Sequence, residues 1–157
     1  MLHLTMRKIQ GLLNTLETFI DKDQALDPKI STVNVSWHIE HSLLVITQIA
    51  KAVTSSDPSE YAYSFNFKKL LVFSLGKFPR GKAKAPASVI PTTTISKSDY
   101  PALFEEAKTA LSNLALAKPN QYFIHPIFGK LNVKGTFTML TIHTAHHIKI
   151  IEDIIKG

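Results

Sequence analysis

The chain has 157 residues, 45% hydrophobic and 19% charged, with a formal net charge of +6 at pH 7. That length supports one ordinary domain with a real core, and the composition is that of a soluble globular protein rather than a disordered tail. With no cysteine, disulfides and thiolate metal sites are excluded, and no stretch reaches the roughly 18 apolar residues of a membrane span.

The opening residues, MLHLTMRKIQGLLNTLETFI, are interrupted by Arg7, Lys8 and Glu17. They lack the apolar core and small-residue cleavage site of a signal peptide, so a cytoplasmic location is expected. Across residues 3–21, Leu4, Ile9, Leu12, Leu13, Leu16 and Ile20 recur at three- and four-residue steps, which predicts an amphipathic helix. Asp27, Pro28 and Lys29 break the chain. A second helix is predicted from about Ser31 to Thr54 on Val35, His38, Ile39, Leu43, Val45, Ile46 and Ile49, and TSSDPS at 54–59 ends it. The run FNFKKLLVFSL, residues 65–75, reads as a short helix or a strand by periodicity alone and fits a bundle helix better than a buried strand. Residues 76–98, GKFPRGKAKAPASVIPTTTISKS, are rich in Pro, Gly, Lys and Thr and read as an irregular basic crossover.

Ser98 followed by Asp99, Tyr100 and Pro101 predicts a helix start, because a hydroxyl caps free N–H groups and Pro is tolerated in the first turn. That helix ends before Pro119. NQYFIHPIFGKLN, residues 120–132, reads as a loop, and Asn132 is placed to cap a last helix that closes by Gly157. Four long helices and one long crossover predict an all-α four-helix bundle, a single domain over residues 1–157.

The histidines stand out against this background. On a wheel of about 100° per residue, Lys134, Thr138, Thr141, Lys149, Glu152 and Lys156 of the last helix fall within about 80° and define its wet side. His143 and His147 straddle the opposite direction among Met139, Leu140, Ile150 and Ile154, with His146 on the flank. In the second helix Ser36, Glu40, Thr47, Lys51 and Thr54 mark the wet side, His38 points away from them, and His41 stays in the inward half.

An unpaired buried polar group costs on the order of 1–3 kcal/mol, so several in one small core need a common partner. A divalent ion is such a partner. Two imidazoles at i, i+4 reach one ion, a facing helix supplies a third, and a His₃ set leaves a position for water whose pKa falls towards ~7. The competing account is that each ring is an ordinary core histidine bonded to a backbone carbonyl. By wheel position alone, His38 and His41 remain alternatives for the second-helix ligand. The inward faces of both helices lack Asp and Glu, so acid–base work would fall to His38, His125 or His146, or to metal-bound water.

Three further motifs point elsewhere and fall short. HTAHH is not the zinc-protease HExxH, since Thr144 stands where the general-base Glu belongs. GKFPRGKA, residues 76–83, nearly spells a phosphate-binding loop, but Ala83 replaces the magnesium-binding hydroxyl and Pro86 opposes a following helix. Lys68, Lys69, Lys77, Arg80, Lys82, Lys84 and Lys97 lie in a span free of acidic residues. Nucleic acid is not the expected partner, because such a run ordinarily forms a solvated face, and Phe65, Phe67, Phe73 and Phe78 include core positions. Steering of an anionic substrate is the milder role.

The segments VNVSWHIEHSLLVI, KLLVFSLGKFPRGKAKAPASVIP and HPIFGKLNVKGTFTMLTIHTAHHIKIIEDI resemble the DinB/YfiT-like superfamily, in particular a branch of uncharacterised bacterial proteins. The likeness covers about residues 30–155. It implies a four-helix bundle, often dimeric, holding a divalent metal such as nickel or zinc on three histidines, here His41, His143 and His147. It also implies a metal-dependent hydrolase or thiol S-transferase acting on a small molecule; the lysine run suits an anionic or thiol-containing one, and no membrane partner is expected. His38, His125 and His146 are then the candidates for acid–base or supporting roles. The alternatives are a non-catalytic bundle whose histidines are satisfied in the core, and a basic nucleic-acid-binding module.

Overall fold

In the computed structural model the described residues are 2–80, 87–91 and 95–157. The fold is mostly helical with one small sheet: α1 (Leu2–Glu17), α2 (Val35–Thr54), α3 (Phe67–Leu75), α4 (Tyr100–Leu116), β1 (Tyr122–His125), β2 (Gly129–Asn132) and α5 (Val133–Lys156). Of the crossover predicted over residues 76–98, positions 81–86 and 92–94 lie outside the described residues, and with them Lys82, Ala83, Lys84 and Pro86. No described helix is long and apolar enough to cross a membrane.

Asparagine side chains set three of the helix starts. Asn34, Asn66 and Asn132 accept the N–H of Trp37, Lys69 and Gly135 at 3.1, 2.9 and 3.0 Å. Such a cap satisfies one of the free donors of a first turn and is worth about 1 kcal/mol. Asn34 therefore starts the second helix three residues later than the expected Ser31, which leaves Ser31 in the preceding segment. The ambiguous 65–75 run is a helix, closed by Gly76 in the left-handed conformation at φ 62°. Ahead of α4 a capping box forms at Ser96 rather than Ser98, on the single 3-10 turn Lys97–Asp99 that runs into the helix, and the Ser96 N–H donates to the Asp99 carboxylate at 2.7 Å.

α1 packs against α5 and α4, and α2 against α4 and α5. Ile9, Leu13, Leu16, Ile39, Leu43, Ile46, Phe104, Leu111, Phe137, Leu140 and Ile151 fill the space between them. Each apolar side chain of that size contributes about 1.5–3 kcal/mol by leaving water. Leu4, counted in the α1 stripe, is 70% exposed, while Met6 and Ile9 further along the helix pack on the core.

The helical wheels err where a neighbour covers a polar side. Ser36 and Glu40, expected on the wet side of α2, are only 8% and 7% exposed because α4 packs there. Thr141, expected on the wet side of α5, is 5% exposed and returns its hydroxyl to the Phe137 carbonyl at 2.8 Å. In α3 no residue is fully buried: Phe65 and Phe67 face outward, while Phe73 and, beyond the helix, Phe78 pack against the core.

The segment 120–132, expected as a loop, is an antiparallel hairpin pairing Tyr122 with Asn132 and His125 with Gly129. Its turn closes on Gly129, at φ 72°, and on the His125 ring, whose Nδ1 accepts the N–H groups of Ile127 and Phe128 at 3.1 and 3.2 Å. Two four-residue strands are too short for a period-2 pattern to separate them from a loop.

Candidate metal centre

α2 and α5 lie side by side, so their inward stripes share one interior. His41 of α2 and His143 and His147 of α5 each offer a ring nitrogen, and these atoms lie within 4.8 Å of one another. Ring centroids are 5.1 Å apart for His41–His143, 4.8 Å for His41–His147 and 4.6 Å for His143–His147. Two nitrogens on one tetrahedral ion stand about 3.4 Å apart. Small rotations about the side-chain torsions would bring the three into register.

Hydrogen bonds decide which nitrogens face inward. His41 Nδ1 lies 2.6 Å from the Val89 carbonyl. A carbonyl only accepts, so Nδ1 carries the proton and the neutral ring keeps its lone pair on Nε2. His147 Nδ1 lies 2.9 Å from His38 Nδ1, a contact that holds one proton between the two rings. His143 Nδ1 is buried and has no hydrogen-bond partner among the described residues. A buried ring nitrogen with nothing to bond is the feature an ion would resolve, and three neutral imidazoles are a donor set suited to a divalent metal. The residues fit the group.

Electrostatics point the same way. Burial lowers the pKa of every ring in the cluster. His38 falls to about 4, with His41 and His146 adding repulsion. His41 is lowered by burial against the opposing effect of its Val89 bond. His143 and His147 are held well below the ordinary histidine range by burial and by the neighbouring imidazoles. At neutral pH these rings are uncharged, the form that ligates metal.

The surround is aromatic. Trp37 stacks on His41 at 4.7 Å and 16°, and Phe78 meets His143 and His146 edge-on at 6.1 Å each. His146 sits 5.3 Å from His147, ring to ring, half-buried on the flank as expected, its pKa lowered by burial and by Arg80. His125 stands apart: its ring stacks on Phe128 at 4.3 Å and its Nδ1 is consumed by the hairpin turn. Burial lowers its pKa to about 4.

Sequence reasoning passed over Ser31, Trp37, Phe78 and the Val89 carbonyl. The first and last lie outside the histidine helices, where helical periodicity carries no information. Trp37, flanking His38 in the sequence, was the legible one. The basic span is partly tied down: Arg80 pairs with Asp153 at 2.7 Å, Lys97 with Asp21 at 3.6 Å, and Lys69 donates to the Ser64 carbonyl at 3.2 Å. Gly76, first glycine of the near phosphate loop, ends a helix rather than a strand. Comparison of the chain with protein-family models, curated proteins and solved structures gives no match.

Proposed function

We propose that this chain is a DinB/YfiT-like four-helix bundle, formed by α1, α2, α4 and α5, that holds one divalent ion on His41, His143 and His147. It acts as a metal-dependent hydrolase or group transferase on a small anionic or thiol-containing substrate. The observation that carries this reading is the convergence of the three histidines with His143 Nδ1 left unbonded. The rival account, histidines satisfied within the core, covers His41 through Val89 and His147 through His38, but leaves His143 unexplained. Nickel and zinc both suit an all-imidazole set.

Once bound, a divalent ion there supplies Lewis-acid polarisation and activation of water or a thiol. The chain's own residues do the rest. Val89 fixes the His41 tautomer. Trp37 and Phe78 cover the rings and limit water. On the flank, His146 offers a further neutral imidazole 5.3 Å from His147, next to Arg80, whose guanidinium is paired with Asp153.

Elemental analysis of protein purified without a polyhistidine tag tests the reading. Close to one nickel or zinc ion per chain is expected, and none in a His143→Ala, His147→Ala variant. Retention of the ion by that variant removes the site as drawn.

A further inference from the structure

One buried imidazole remains once His41, His143 and His147 are assigned to the ion. His38 projects from α2 one turn before His41, with its ring 5.2 Å from that of His147 and edge-on to Trp37 at 5.3 Å. Both of its nitrogens are engaged: Nδ1 is 2.9 Å from His147 Nδ1, and Nε2 is 3.0 Å from Ser31 Oγ. Ser31 Oγ in turn accepts the Val33 N–H at 3.2 Å.

A contact between two Nδ1 atoms holds one proton, which sits on one ring or the other. With the proton on His38, the neutral His147 ring carries its own on Nε2 and presents no lone pair to an ion. With the proton on His147, Nε2 of that ring is free, and His38 carries its proton on Nε2, where Ser31 Oγ accepts it.

We infer, resting on the metal reading above, that His38 is a positioning residue: it accepts Nδ1–H from His147 and donates Nε2–H to Ser31, holding the ligand ring in the one tautomer that faces the ion. Val89 does the same for His41 through a carbonyl. Outer partners of this kind orient ligating histidines and commonly carry a 10–100-fold share of metal affinity. Here the partner is a second imidazole whose own orientation depends on a hydroxyl outside the helix. The segment before α2 is thereby tied to the site.

His38→Phe keeps a ring of similar size but offers no acceptor, while His38→Asn keeps an oxygen close to the place of Nδ1. Zinc affinity, measured by competition with a chromophoric chelator, should fall about 10–100-fold in His38→Phe, with one ion per chain still bound, and should largely return in His38→Asn. Ser31→Ala should weaken zinc in the same direction by a smaller factor. It alters a half-buried side chain outside the helix, so it carries the test even where His38→Phe fails to fold. NMR of the imidazole nitrogens should place the proton of zinc-loaded His147 on Nδ1 and that of His38 on Nε2.

Wild-type affinity in His38→Phe and Ser31→Ala, or a zinc-loaded His147 protonated on Nε2, overturns the positioning role and leaves the metal site standing. Complete loss of zinc in both His38 variants makes His38 a ligand and overturns the role equally. Wild-type protein that takes up no zinc or nickel overturns the metal reading itself.

Discussion

α2 carries two buried polar clusters on opposite sides, and they differ in kind. Towards α4, Ser36 meets Tyr100, whose hydroxyl lies 3.2 Å from Ser36 Oγ and 3.4 Å from Asp23 Oδ2, while the Ser36 N–H donates to the Asp23 carbonyl at 2.7 Å. Donors and acceptors there answer one another, and the cluster closes within the protein. Towards α5, His41, His143 and His147 each bring a ring nitrogen to within 4.8 Å of the others, and His143 Nδ1 has no hydrogen-bond partner among the described residues. The lesson is that burial of polar groups does not by itself mark a site. A self-satisfied cluster braces the fold, whereas a cluster with an unbonded buried nitrogen has room for a further partner.

That contrast predicts effects of very different size. The largest should come from metal itself: zinc at about 100 times its dissociation constant should stabilise the metal-free protein by about 2.7 kcal/mol, a rise of roughly 5–10 °C in Tm. Calorimetry should show this rise vanish with excess chelator and in the His143→Ala, His147→Ala variant. An equal rise in that variant would mean the ion binds elsewhere.

Next comes pH. His38 titrates at about 4 when folded against 6.5 when unfolded, so below pH 6.5 the unfolded chain takes up a proton that the folded one refuses. Stability is unaffected by this group above 6.5 and declines as pH falls through the window down to 4. At pH 5 the loss is about 2 kcal/mol for this one ring. Denaturant melts of metal-free protein at pH 7 and pH 5 measure it, and the loss should shrink in His38→Asn.

Smaller still is the effect of opening the other cluster. Tyr100→Phe removes the hydroxyl shared by Ser36 and Asp23 and should cost about 1–2 kcal/mol in a denaturant melt, with zinc affinity unchanged. A change in zinc affinity there would show that the two sides of α2 are coupled. The smallest effect is assigned to His125. Loss of its turn-capping Nδ1 in His125→Ala should cost about 1 kcal/mol, and His125→Asn, whose side chain can accept the same N–H groups, should cost less. A large loss of turnover in His125→Asn at full metal occupancy would return His125 to the chemistry.

Much of the molecule was legible in the residue pattern. Apolar steps of three and four located the helices, Asn132 announced the start of α5, and the i, i+4 pair His143 and His147 declared itself on the dry stripe. The failures share a cause. Ser36, Glu40 and Thr141 read as solvent-facing, since a helical wheel knows only the helix it is drawn on and the elements packed against that helix lie off it. The hairpin at 122–132 was missed because its strands are too short to show a period.

By itself the sequence determined the helical periods, the caps and the supply of imidazoles, all local properties set by neighbours three or four residues away. Only the tertiary structure decided between His38 and His41. Both point inward from α2, but the Val89 carbonyl takes the proton side of His41 and leaves its other nitrogen free, while His147 and Ser31 occupy both nitrogens of His38. The choice rests on groups 48 and 109 residues away in the chain, and hydrogen bonds across such separations exist only once the helices have packed.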